Sequence, residues 1–333
     1  MPFTATIRTL ATSRGLLAGA AALAGLAVTN VVLARRAERR HPPKGRFMTV
    51  DGVRLHYTDS GRGQPILLIH GNAVSGEDYE TSGLAAQLRE RHRVIIIDRP
   101  GFGHSERPHG RLWTAMEQGA LLRQAMHQIG VERPVVVGHS WGAIVALSLA
   151  VQHPAEAAGL VLLSGYYHWT LRPDVLLVVP GAVPVLGDLL RYTVSPLLGR
   201  LLMPLLKRGM FSPAPIPARF RTEYSDAMAL RPSQIRATSS DGALMIPGAL
   251  HLRGDYATLP MPVAILAGQG DKVVFAKRAR QLHAEIPGST LEVLPGVGHM
   301  VHHSAPDDVA AAIERIAAAA LPDTVPVALD HAA

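Results

Sequence analysis

From Arg46 onward the chain is built of short apolar runs separated by stretches with helical periodicity. Arg46 to Thr58 reads as two strands around the Asp51-Gly52 turn, a hairpin signal. Apolar runs then recur at Pro65–His70, Val94–Asp98, Pro134–Gly138 and Leu160–Ser164. Between them, Gly76–Arg91, Trp113–Ile129 and Trp141–His153 carry apolar residues at helical spacing. The alternation stops from Gly165 to Thr258, a Leu-, Val- and Met-rich stretch broken by prolines. It resumes with strands at Pro262–Ala267 and Thr290–Leu294 and helices at Ala276–Glu285 and Ala305–Ala319. Strands that are apolar throughout and joined by crossover helices imply a parallel sheet covered on both faces. The expected fold is therefore α/β: a mostly parallel eight-stranded sheet flanked by helices, with an inserted helical cap and an N-terminal hydrophobic helix. The corresponding boundaries are 1–46 for an N-terminal anchor and basic linker, 47–164 and 259–322 for the two parts of the core, 165–258 for the cap, and 323–333 for a loose tail.

The N-terminal helix is set apart by its flanks. Gly15 to Ala34 is twenty residues without a charge, bounded by Arg14 and Arg35. As a helix it would be about 30 Å long, the thickness of bilayer hydrocarbon. A membrane anchor is the expected role. A secretory signal cleaved after Val32-Leu33-Ala34 and a soluble helix are the alternatives, and the many Ala and Gly residues weaken the insertion tendency. Arg35, Arg36, Arg39 and Arg40 outweigh Arg8 and Arg14, which favours a cytoplasmic catalytic domain. Cleavage of a signal would instead leave the domain secreted or periplasmic.

Charge enters the picture only here. Residues 1–46 hold eight Lys or Arg and one Glu, which accounts for the whole net charge of +7 and leaves the rest of the chain formally neutral. A basic face on the folded domain is not required, and nucleic acid is not an expected partner. The chain has no cysteine, which removes thiolate nucleophiles, disulfides and Cys-type zinc sites. Its sixteen histidines show no H-E-x-x-H or similar spacing, so neither metal nor cofactor is expected.

Candidate chemistry lies at strand ends. Gly138-His139-Ser140-Trp141-Gly142 falls between a strand and a helix, where a G-x-S-x-G turn exposes a serine hydroxyl at a sharp bend. Serine is a weak nucleophile and needs a histidine base held by a carboxylate. Asp271 follows the strand ending at Ala267. His299 follows Thr290–Leu294 on the loop Gly296-Val297-Gly298. The order Ser, Asp, His is that of the α/β-hydrolase arrangement.

On these residues the chain resembles the capped branch of α/β-hydrolases, which includes esterases, C–C bond hydrolases, epoxide hydrolases and haloalkane dehalogenases. The resemblance covers roughly Phe47 to Leu321, the cap by position only. His70-Gly71-Asn72 is similar to the family's oxyanion loop, and Asp98-Arg99-Pro100-Gly101-Phe102-Gly103-His104-Ser105 to its D-x-x-G-x-G-x-S turn. The resemblance implies Ser140, Asp271 and His299 as catalytic triad and the backbone N–H groups of Asn72 and Trp141 as oxyanion donors. Asn72 with Trp141 also resembles the halide-binding pair of haloalkane dehalogenases. Those enzymes use Asp at the elbow, however, and Ser140 points to a carbonyl substrate. The implied function is hydrolysis of an ester or related carbonyl bond in a hydrophobic small molecule. A C–C hydrolase or perhydrolase-like enzyme on the same triad, or a ligand sensor that keeps the fold, are the alternatives.

Other residues near these motifs have simpler roles. His70 and His139 read as turn-shaping, His302 and His303 as neighbours of the base, and Asp98 and Ser105 as loop anchors. In the cap, the pairs Leu189-Leu190, Leu197-Leu198, Leu201-Leu202 and Leu205-Leu206 read as core-facing stripes, some lining an apolar pocket; a cap leaning on the membrane is the second option.

Overall fold

The structure is a computed structural model that describes residues 3–170 and 173–320. The expected tail at 323–333 lies outside the described residues. Eight strands form one sheet: β1 Arg46–Val50, β2 Val53–Ser60, β3 Pro65–Ile69, β4 Arg93–Ile97, β5 Val135–His139, β6 Gly159–Leu163, β7 Val263–Gly268 and β8 Thr290–Leu294. Their order is β1-β2-β4-β3-β5-β6-β7-β8. The pairs β1/β2 and β2/β4 are antiparallel and the others parallel. Asp51 and Gly52 both take positive φ, 48° and 72°, the turn that matches the twist of a two-residue hairpin.

The apolar runs are explained by burial on both faces. Leu67 and Ile69 of β3 pack with Leu121, Ile144 and Leu147 on one side. Ile66 and Leu68 pack with Leu88, Val309 and Ile313 on the other. Every inward and outward position of such a strand must therefore be apolar. The helix Ala115–Gln128 begins at Thr114, whose side chain accepts the Glu117 N–H. The expected helix over 76–91 is two, Glu77–Ser82 and Leu84–Leu88, because Gly83 between them is left-handed at φ 87° and ends the first with a bond to the Glu80 carbonyl.

Between β6 and β7 the described chain is helical, including Leu186–Tyr192, Val194–Phe211, Pro232–Ala243 and Met245–His251. One ion cluster ties this stretch to the core. Asp241 of the helix Pro232–Ala243 takes Arg99 Nη1 at 2.5 Å and Arg107 Nη2 at 3.0 Å, and all three side chains are almost fully buried. Gln118 also reaches the Asp241 carboxylate, at 3.3 Å, while accepting from Arg99 at 2.8 Å.

The cap leucines contradict the core-facing reading. Leu197, Leu198, Leu201, Leu205 and Leu206 are all exposed, Leu201 at 70% and Leu205 at 67%. The buried side of their helix is made instead by Pro196 and by Gly199, where a Cβ would come within 2.4 Å of Leu230.

At the N-terminus one helix runs from Phe3 to Arg40, and its part Gly15–Arg40 is long and apolar enough to cross a membrane while almost none of it is buried by the protein. It meets the body near its C-terminal end. Asn30 Nδ2 donates to the carbonyls of Tyr192 and Thr193 at 2.9 and 2.8 Å, and Glu38 pairs with Arg231 at 2.8 Å.

Candidate active site

Strand order reverses around β3 and β5: β4 lies on one side of the pair and β6 to β8 on the other. The carboxyl ends of strands at such a reversal are the usual ligand position in sheets of this kind. Ser140 immediately follows β5, and Gly71-Asn72 follows β3 after His70.

Ser140 has φ 53° and ψ −118°, a conformation that L-residues rarely adopt. The turn is over-determined by its neighbours. A Cβ on Gly138 would meet the Gly142 carbonyl oxygen at 2.5 Å, and one on Gly142 the Ile69 carbonyl oxygen at 2.2 Å. Those two glycines let the helix Trp141–Gln152 start directly against the ends of β3 and β5. The Ser140 N–H is held by the Leu163 carbonyl at 2.9 Å, so the elbow is also tied to β6.

The three residues singled out from the sequence come together. His299 Nε2 lies 3.0 Å from Ser140 Oγ, and His299 Nδ1 lies 2.8 Å from Asp271 Oδ2. The other Asp271 oxygen accepts the N–H groups of Val273 and Val274, each at 2.8 Å, so the buried carboxylate is fully hydrogen-bonded and fixed in direction. With Nδ1–H donated to Asp271, Nε2 is left as the acceptor for the serine proton. Gly268 permits this approach, since a Cβ there would meet the Gly298 carbonyl oxygen at 2.1 Å. The backbone N–H of His299 donates to the Met210 carbonyl at 2.8 Å, at the end of the cap helix Val194–Phe211.

Asn72 and Trp141 flank the serine. Among the described residues their backbone N–H groups have no protein acceptor, as an oxyanion site requires. A Cβ on Gly71 would lie 3.1 Å from the Ser140 Cβ, which places this loop directly beside Ser140. The Asn72 side chain is engaged elsewhere: its Nδ2 donates to the Thr238 carbonyl at 3.1 Å and its Oδ1 accepts from Ala73 at 2.9 Å. Among the described residues, Trp141 Nε1 is buried without a partner.

His70 and His139 are engaged with the backbone beside Ser140. His70 Nε2 accepts the Arg99 N–H at 2.9 Å while its Nδ1 donates to the Gly71 carbonyl at 2.8 Å. Burial, reinforced by the Arg99 charge, lowers the His70 pKa to about 4. His139 Nε2 donates to the His299 carbonyl at 3.0 Å and so holds the backbone of His299. Asp98 and Ser105 hold the loop after β4. The Asp98 carboxylate takes the N–H groups of Gly76 and His104 at 2.8 and 2.9 Å, and Ser105 Oγ donates to the Asp98 carbonyl at 2.6 Å.

Two features had no signal in the sequence. Asp78 receives His302 Nε2 at 2.7 Å and His303 Nε2 at 2.8 Å, a buried set three and four residues beyond His299. Burial pushes its carboxyl upward, but the two imidazoles outweigh this and hold it well below the usual carboxylate range. Side-chain donor atoms of Asp78, His139 and His302 fall within 4.8 Å of one another, the set best spaced for a metal among the described residues. Both Asp78 oxygens are already engaged at hydrogen-bond distance by His302 and His303, while Nδ1 of His139 and of His302 is buried with no partner among the described residues. The second feature is Asp241, described above. A cavity of about 810 Å³ also lies near the end of the first helix, lined by Lys44, Arg46, His56 and Arg219, and no triad residue borders it.

Folding therefore keeps His70 neutral, whereas in the unfolded chain it titrates near 6.5. Below that pH the unfolded state binds the extra proton, so stability present at neutral pH falls as pH drops from about 6.5 toward 4. At pH 5 the loss from His70 alone is about 2 kcal/mol. Denaturation midpoints at pH 7 and pH 5 measure it, and equal midpoints would show that the imidazole is charged in the folded protein.

A profile of the alpha/beta hydrolase family matches residues 66–312, and the chain belongs to that family. Among curated relatives, haloalkane dehalogenase 2 of Mycobacterium tuberculosis is 29% identical over 290 residues, covering 82% of this chain and 94% of its own. Among solved structures, a bacterial membrane phospholipase A superposes with a TM-score of 0.64 at 20% identity, over 96% of this chain and 98% of its own. An esterase from Thermogutta terrifontis superposes with a TM-score of 0.62 at 21% identity, over 81% and 97%. At these identities the structural likenesses establish the fold.

Proposed function

We propose that the protein is a serine hydrolase that cleaves an ester bond in a hydrophobic small molecule, with Ser140 as nucleophile, His299 as general base and Asp271 as the carboxylate that orients it. The observation that carries this reading is the continuous relay Ser140–His299–Asp271 at 3.0 and 2.8 Å, with the serine in a strained elbow. In the proposed reaction Ser140 Oγ attacks the carbonyl carbon as its proton passes to His299 Nε2. The oxyanion that forms is received by the N–H groups of Asn72 and Trp141, and the second of these opens a helix whose N-terminus favours negative charge. Collapse expels the alcohol, which takes the proton from His299. Water activated by the same nitrogen then releases the acid. A fluorophosphonate probe should label Ser140, and p-nitrophenyl esters should turn over. Labelling without turnover of any ester would favour a C–C hydrolase, and no labelling a ligand sensor.

Substrate preference follows from how the cations beside the site are engaged. Arg99 reaches the Gly71 carbonyl at 2.8 Å, but its side chain is fully buried and also bonded to the His70 carbonyl, Gln118 and Asp241, so it is not offered to a substrate carboxylate. On burying apolar acyl groups at about 0.8 kcal/mol per CH₂, kcat/KM should climb a few-fold per carbon over several carbons before levelling. A flat chain-length series, or a best substrate with a free carboxylate, would contradict this.

The same proposal places the enzyme on a membrane, anchored by Gly15–Ala34 with the catalytic domain on the cytoplasmic side. The uncharged span, almost unburied in the structure, and the arginines after it support this reading. Full-length protein should resist carbonate extraction and keep its first 46 residues. A mature chain beginning at Arg35 would make the span a cleaved signal.

A further inference from the structure

Helix Val194–Phe211 is apolar on two opposite sides. Pro196 and Gly199 face the protein, as shown by burial and by the close approach of Leu230. Val194, Leu197, Leu198, Leu201 and Leu205 fall at i, i+3, i+4, i+7 and i+11 and form one continuous stripe, each residue close to half exposed or more. An apolar stripe on a helix ordinarily faces the core. Here one side is open.

What covers that side is indicated by Asn30. It lies five residues before Arg35, so along the helix axis it sits about 7 Å inside the uncharged span. Its buried amide donates to the carbonyls of Tyr192 and Thr193, the two residues that immediately precede the striped helix. If Gly15–Ala34 fills the hydrocarbon, those two carbonyls are held about 7 Å below the level of Arg35, within the ~5–10 Å at which interfacial helices lie. The bonds also satisfy an amide that lipid would leave unpaired. Exposed Arg200 and Arg208 stand on the same helix, where they would meet lipid phosphates.

We propose that helix Val194–Phe211 lies on a lipid bilayer, with its leucine stripe in the acyl region of the leaflet nearest Arg35. The inference rests on the anchor reading of Gly15–Ala34. It adds a second attachment that fixes the tilt of the catalytic domain over the membrane.

The natural chain has no cysteine, so single cysteines can report position in the full-length protein. Leu201→Cys, Leu23→Cys and Arg62→Cys, each carrying an environment-sensitive fluorophore, would be placed in vesicles of phosphatidylcholine and phosphatidylglycerol. Leu205→Cys repeats the test should Leu201→Cys fold poorly. Labels at Leu201 and Leu23 should be quenched by doxyl lipid and shielded from iodide several-fold relative to the label at Arg62, an exposed turn between β2 and β3. A label at Leu201 as open to iodide as that at Arg62, with Leu23 shielded, overturns the inference and leaves the anchor standing. Shielding from iodide without quenching by lipid also overturns it, because a second copy would then cover the stripe. An iodide-accessible label at Leu23 removes the anchor and the inference together.

Discussion

Ser140→Ala will lower kcat by a factor on the order of 10⁶ while leaving the melting temperature close to that of the parent. The hydroxyl is the sole nucleophile of the proposed reaction, and its removal opens only a small gap beside His299 Nε2. Asp271→Asn is expected to cost about 10⁴, since an amide in that place favours the tautomer with the proton on the nitrogen facing Ser140. Stopped assays with p-nitrophenyl butyrate and a thermal melt decide the matter. Activity of the alanine variant above a tenth of the parent would mean that another group attacks the substrate.

Asp241→Ala will be the most destabilising single change of a charged residue outside the triad. It leaves Arg99 and Arg107, both nearly free of solvent contact, without a counter-charge. Stranding buried charge in this way costs about 3–5 kcal/mol. The expected drop in melting temperature is roughly 6–20 °C, taking 2–4 °C per kcal/mol for chains of this size. Arg99 also bonds the carbonyls of His70 and Gly71 at 2.9 and 2.8 Å, so the loop that bears Asn72 should loosen and turnover should fall. Circular-dichroism melts and ester kinetics on the same preparation test both effects. A melt within 2 °C of the parent, a shift well below that expected for stranded charge, would show that the cap is held without this cluster.

The sheet, and the strand-end positions of Ser140, Asp271 and His299, were legible in the sequence for physical reasons. A strand buried on both faces has no polar alternation, so Val135-Val136-Val137 or Val94-Ile95-Ile96-Ile97 cannot easily be surface structure. His299 stood out from His302 and His303 because only it follows a glycine-bounded turn, and that turn lets the backbone pass close to β7. Pairings made across long stretches of chain left no trace. Asp241 meets Arg99 from 142 residues away, and Asp78 meets His302 from 224. Nothing in the local spacing of those acids marks them. Periodicity failed in a different way in the cap. Leucines at helical intervals define a stripe but not the direction in which it faces, and in Val194–Phe211 it faces outward.

The hydrogen bond from the His299 N–H to the Met210 carbonyl bears on how such an enzyme could diversify. The cap of this family is readily pictured as an exchangeable module clipped onto an unchanging core. In this chain the module's longest helix ends by holding the backbone of His299, the proposed base, with the Phe211 and Ser212 carbonyls packed against Gly298. A transplanted cap would therefore have to reproduce that terminal carbonyl, or the new specificity would arrive with a misaimed imidazole.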